Sequence, residues 1–217
     1  MSKNIKMTDS KAYHHGDLRN TLIVAAGELI KEKGSLDFAM IDAARRAQVS
    51  SAAPYRHFED KNALLQAVAE VAFLALELAA REAAALAPRG SSACLISQGK
   101  AYISFVTDHP AFYDLMWGDI GLRRRVKEEM ELQTSGFYLL VDTVKAWCAE
   151  AGVVVNDPVE LAVKFWAMAH GLACLAMNNN IEHVLSGADV FKLFESSAMT
   201  FLDGLRPPVV AGSPTIT

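Results

Sequence analysis

Apolar positions along this chain recur at intervals of three and four, the spacing that lays one stripe down a helix. No alternating run longer than a few residues suggests a strand. Leu18, Leu22, Ala25, Ala26, Leu29 and Ile30 share one helix face, with Asp17 as the expected N-cap and Gly34 as the left-handed stop. A short second helix is expected from about Met40 to Ala47, and a third from a cap at Ser50 or Ser51 to about Phe58. Asp60 should cap a long fourth helix from Lys61 to about Ala87, ended by the linker Pro88-Arg89-Gly90-Ser91-Ser92. Beyond it the pattern predicts helices near Cys94 to Asp108, around Phe112 to Trp117 after the His109-Pro110 break, and from about Gly121 to Ala151 with a bend at Gly136. Asp157 and Pro158 open the next helix, to Asn180, and a last one covers Ala188 to Leu205. Both are apolar over wide arcs and should be largely buried. The expectation is an all-α chain of about nine helices, the three leading it short, with a frayed tail from Pro207 to Thr217.

Composition narrows the class. With 217 residues and 52% hydrophobic content the chain is long and apolar enough to bury a real core. Its N-terminus has no apolar stretch of the signal-peptide kind. The most apolar run, Ala63 to Ala87, carries Glu70, Glu77, Arg81 and Glu82, which argues against a membrane span. Cys94, Cys148 and Cys174 are odd in number and form no CxxC, as expected of reduced thiols in the cytoplasm. His109, His170 and His183 lack partners at metal-ligand spacing, and no GxSxG, GxxxxGK[ST] or GxGxxG is present, so neither a cofactor, a metal nor an enzyme is indicated. Net charge is −4, yet unevenly spread: ten Lys/Arg against eight Asp/Glu through Lys61, eleven against seventeen afterwards. A mildly basic head on an acidic body fits a small polyanion-binding unit.

The stretch VSSAAPYRHFEDK, Val49 to Lys61, gives that head its chemistry. Two short helices joined by a tight turn form a helix-turn-helix, whose second helix can enter the DNA major groove. Pro54 fits in its first turn, where a missing N–H costs nothing. Ser50, Ser51, Ala52 and Ala53 keep its front slim enough to approach base edges and thymine methyls. Tyr55, Arg56, His57 and Lys61 supply donors suited to phosphate, and Phe58 should turn inward. Arg19, Arg45 and Arg46 are further candidates for the DNA backbone, along with Lys11, His14 and His15 of the leader. The alternatives are an ordinary helical hairpin and, for the flanking cations, solvated faces. Arg123-Arg124-Arg125, beside Glu128 and Glu129, reads as a solvated face.

The segment IDAARRAQVSSAAPYRHFEDKNALL resembles the DNA-binding segment of the TetR family of transcriptional regulators. YHHGDLRNTLIVAAGELI is similar to the leading helix of one branch, and Trp166-Ala-Met-Ala-His170-Gly171 to its WHG-type C-terminal domain. The resemblance implies a leader (1–15), a helix-turn-helix domain (16–62), a ligand-binding and dimerisation domain (63–206) and a disordered tail (207–217). It implies a homodimer, joined through the last two helices, that represses from a palindromic double-stranded DNA operator and is released by a small apolar effector. An all-α small-molecule-binding dimer that no longer reads DNA is the alternative. Three positions depart from the family pattern. Ala39 replaces a Ser or Thr cap, a loss of ~1 kcal/mol; Gln48 replaces a turn Gly, with strain if its φ is positive; Ala43 replaces a larger core aliphatic.

Phe105, Phe112, Tyr113 and Met116 are candidates to line an effector pocket, as are Trp117, Trp166, His170 and Met177. Pockets are mostly apolar with a few polar handles, here Tyr113, Trp117, Trp166 and His170. Taken singly, each is better explained as plain core, while some of them together are expected to line a pocket, and Gly171 would permit close helix approach.

Overall fold

The computed structural model describes residues 18–118 and 131–207. Asp17, the leader, Arg123 to Arg125, the first part of the helix expected from Gly121, and the tail beyond Pro207 lie outside the described residues. Among those described the chain forms nine α-helices and one 3₁₀ turn, with no strand.

The front of the chain holds α1 (Leu18–Lys33), α2 (Met40–Arg46) and the 3₁₀ turn Pro54–Arg56. Gly34 ends α1 at φ 61°, as its position predicts. Behind them runs α3 (Lys61–Ala85), opened by Asp60, whose carboxylate accepts the Ala63 N–H at 2.8 Å. Then come α4 (Ser92–Asp108), capped by Ser91, and α5 (Pro110–Trp117). They are followed by α6 (Glu131–Ala151), α7 (Pro158–Met177), α8 (Asn180–Val184) and α9 (Val190–Asp203). Asp157 caps α7 and Asp189 caps α9, each accepting backbone N–H bonds.

Two expectations need correction. The third helix is absent: Ala53 N–H donates to Ser50 O, Arg56 N–H to Ala53 O and His57 N–H to Pro54 O, all three residues apart. Pro54 has no N–H to start an α-turn, and neither serine hydroxyl caps the segment. The second concerns the C-terminus, where α8 intervenes. Asn179 turns left-handed at φ 56°, a conformation Asn tolerates better than most residues. It ends α7 and starts α8, which the apolar spacing did not reveal.

Two cores hold the molecule. One joins Leu22, Ala26 and Ile30 of α1, Phe38, Met40, Ala43 and Phe58, and Leu64, Leu65 and Val68 at the start of α3. Ala111 and Leu115 of α5 belong to it too. The other is built by α4, α6, α7 and α9, around Ile103, Trp147, Phe165 and Phe194. α3 serves both, since its later turns pack against α4 and α6. By length and composition α3 and α7 could each cross a bilayer, but Leu64 and Leu65 of α3 and Phe165 of α7 lie inside the helical cores. The expected burial of α7 and α9 is only half met. Phe165, Ala169, Phe194 and Ala198 are inside, while Val159, Val163, Leu175 and Met199 are 37–45% exposed. Gly171 is not a close-approach position within the chain, because a Cβ there would meet no atom within 4 Å.

Candidate nucleic-acid interface and effector cavity

The turn after α2 is shaped by what it buries. Pro54 and Phe58 sit four apart and point into the front core, Phe58 only 4% exposed. Burying a phenyl ring contributes about 1.5–3 kcal/mol. That is enough to hold a segment with few helical hydrogen bonds. With those two residues inward, Ser50, Ser51, Ala52, Tyr55, Arg56 and His57 are left on the outside, and Tyr55 is 61% exposed. Ala53 is 8% exposed and leaves the groove-facing set: at the cap of the 3₁₀ turn it is buried.

The flanking cations divide by their partners. Arg45 is exposed, and among the described residues it is tied to Asp42 of its own helix at 3.5 Å. Arg46 spans α2 to α1, bonding Glu28 at 3.2 Å and Glu32 at 2.7 Å, so it fixes the angle between the helices rather than facing outward. Those bonds raise the Arg46 pKa, and the guanidinium's hydrogen bond holds Glu32 below the usual carboxylate range. Lys61 is half-buried; its ammonium donates to the Leu36 carbonyl at 2.7 Å and lies 4.8 Å from the Phe38 ring centre. It therefore braces the α1–α2 connection. Arg19 is exposed, with its guanidinium carbon 5.3 Å from the Phe58 ring centre.

The departures read from the sequence have physical outcomes. Ala39 provides no side-chain cap, yet its own N–H is accepted by Asp42 at 2.9 Å, the reciprocal half of a capping box. Gln48 sits at φ 56°, so the expected strain is present. Ala43 is fully buried in the front core.

A cavity of about 360 Å³ opens between α3, α4, α6 and α7. Of the candidates, Trp117 and Trp166 line it, joined by Phe73, Leu76, Gln98, Tyr102 and Phe137. Phe105 and Phe112 instead line a second hollow, about 490 Å³, between α1 and α3 with His109. Met116 is fully buried in a small cluster with Ala72 and Phe73, and Met177 lines neither space. Tyr113 and His170 join a polar chain beside the first cavity. Tyr102 Oη lies 2.6 Å from His170 Nδ1, His170 Nε2 lies 3.3 Å from Tyr113 Oη, and Tyr113 Oη lies 3.1 Å from Cys174 Sγ. Burial pushes the Tyr113 phenol up to about 12, with the Cys174 thiol adding to it, and burial raises Tyr102 also. The spacing rules missed Gln98 and Tyr102, although an amide inside the apolar run Cys94 to Val106 is the signal that marks Gln98.

α5 connects the two regions. Ala111 and Leu115 pack into the front core, while Trp117, at its last turn, lines the cavity and meets Phe73 edge-to-face at 5.4 Å.

Comparison with known proteins fits this arrangement. Residues 22–68 match the family described as bacterial regulatory proteins, tetR family. Residues 95–199 match the family described as tetracyclin repressor-like, C-terminal domain. Among solved structures the chain is similar to a protein with unknown function from Rhodococcus sp. RHA1, at 31% identity over 91% of this chain and 100% of that one, TM-score 0.76. It is also similar to a bacterial regulatory protein in the tetR family from Rhodococcus RHA1, at 19% identity over 87% and 97%, TM-score 0.59. A third, the flavonoid-responsive regulator FrrA, shares 21% identity over 89% of this chain and 99% of that one, TM-score 0.58. Among curated proteins, none matches the chain. With both halves matched in order, the chain belongs to the TetR family of DNA-binding transcriptional regulators, which are not enzymes.

Proposed function

We propose that the chain acts as a homodimeric repressor, holding a roughly palindromic operator until a small apolar molecule enters the cavity. Residues 16–62 form the reading head and 63–206 the sensing and pairing body. The observation that carries this reading is the outward face made by Ser51, Ala52, Tyr55, Arg56 and His57 over the Pro54/Phe58 anchor. Small side chains lead it and donors follow, which suits base edges and phosphates in turn. The half-exposed apolar residues of α7 and α9, Val159, Leu175 and Met199, support pairing through those helices. Two heads reading successive grooves on one DNA face would stand about 34–36 Å apart.

Effector release follows from α5. A molecule wedged against Trp117 shifts the helix whose Leu115 is part of the head's core, and so changes the spacing of the two heads. The test is nuclease protection over the DNA upstream of its own gene. A protected palindrome is expected; uniform, sequence-independent protection contradicts it.

A body that still binds ligands while the head has lost DNA reading is the second reading, favoured by the strained Gln48 and the missing cap at Ala39. It predicts a head that melts well before the body and gains nothing from operator DNA.

A further inference from the structure

We propose that the cavity selects an uncharged, planar aromatic molecule carrying one hydroxyl, which donates to the side-chain carbonyl oxygen of Gln98. The inference rests on the effector reading above and names the chemistry it leaves open.

The walls set the shape. Phe73, Trp117, Trp166, Phe137 and Phe165 bound the space. Trp117 and Trp166 lie 5.4 Å apart at 43°, and Phe137 meets Trp166 at 6.0 Å. Rings offset in this way accept a flat aromatic by stacking on one face and edge contact on another. The volume, about 360 Å³, suits a molecule of two or three fused rings, at the low end of the range for ligand pockets.

Charge is excluded by the lining. No Asp, Glu, Lys or Arg is among the described residues that line the cavity. A carboxylate or ammonium entering it would lose water and gain no counter-charge.

The side-chain acceptor at the wall comes from Gln98, which is 4% exposed and borders the cavity. Its orientation is fixed by a chain of bonds. The Thr143 hydroxyl donates its one proton to the Leu139 carbonyl at 3.0 Å. Thr143 Oγ1 can then only accept from Gln98, so the group 2.6 Å away is the amide nitrogen, Nε2. The carbonyl oxygen is left with no hydrogen-bond donor among the described residues. Tyr102, also at the wall, is engaged with His170 Nδ1 at 2.6 Å, and the Trp117 and Trp166 indoles that line the space offer N–H donors and no acceptor. A buried acceptor facing an apolar space discriminates strongly, because a ligand without a donor leaves it unmatched.

The experiment is isothermal titration of the full chain with three probes: 2-naphthol, 2-methoxynaphthalene and 2-naphthoate. The naphthol should bind on the order of tenfold more tightly than its methyl ether, the worth of one hydrogen bond to a buried acceptor. The naphthoate should bind most weakly. In Gln98→Met the naphthol's advantage should fall to about unity while the ether keeps its affinity. Equal binding of naphthol and ether to the unaltered chain overturns the proposal without needing any variant. So does preference for the naphthoate, no binding by any probe, or an advantage that survives Gln98→Met. A parallel titration of chain on operator DNA separates the two readings. Gln98-dependent binding that leaves the DNA complex intact upholds the ligand class and rejects effector release.

Discussion

At the scale of single residues, two positions set strain against packing. Gln48 holds φ 56°, where a side chain is disfavoured by about 1–2 kcal/mol. Part of that returns as chain entropy when glycine is substituted, so Gln48→Gly should stabilise the protein by about 0.5–1 kcal/mol. A denaturant titration checks it; no change in midpoint would mean the turn is relaxed around Gln48. Gly99 is the opposite case. A Cβ there would sit 2.1 Å from Cζ of Phe194, a ring fully buried between α4, α7 and α9. Gly99→Ala should destabilise by about 1–3 kcal/mol through overpacking. Adding Phe194→Leu should recover part of it, whereas independent, additive losses would place the clash elsewhere. A Cβ at Gly136 would lie 3.6 Å from Cβ of Glu77, an ordinary contact, so that position should accept alanine far more easily.

At the scale of elements, periodicity and capping residues made most of the fold legible. α3, α7 and α9 begin at Asp60, Asp157 and Asp189 because those carboxylates accept the first free N–H groups, a local event that sequence records directly. The turn at Pro54 was less legible. Its residue types were readable as a contact surface, but its 3₁₀ hydrogen bonding depends on Pro54 and Phe58 reaching a core made partly by distant α5. The exposed face could be read from residue chemistry; the burial of Ala53 could not. The cavity was legible only in part, since α4 and α7 spacing shows which residues face inward but not whether they meet or leave a gap. The Tyr102–His170–Tyr113–Cys174 chain between α4, α5 and α7 adds an alkaline signature. An unfolded tyrosine ionises near 10, whereas folded Tyr113 ionises at about 12. The raised folded value means the contribution is full below about 10 and is lost as pH rises through about 12. Tyr113→Phe should flatten that alkaline loss, measured as the melting temperature between those limits. An unchanged slope would show that Tyr113 ionises freely in the folded chain.

At the scale of the whole molecule, the acidic body and the modestly basic front fit the proposed division of labour, one half pairing and sensing, the other touching a polyanion. Pairing is tested first. Leu175 and Met199 are exposed on α7 and α9, 45% and 37%, and neither is needed by the chain's own core. Leu175→Glu should shift sedimentation from dimer to monomer and weaken operator binding without lowering helix content; a variant that remains dimeric would move the pairing face elsewhere. The central claim concerns the turn itself, and salt dependence reads it most directly. Fluorescence anisotropy of labelled operator DNA, titrated with the chain over a series of salt concentrations, gives log K against log salt, whose slope counts phosphate contacts. Arg56→Ala should weaken binding to operator and random DNA alike and reduce the slope by about one. A slope near zero for the unaltered chain, or an unchanged slope in Arg56→Ala, would contradict the account.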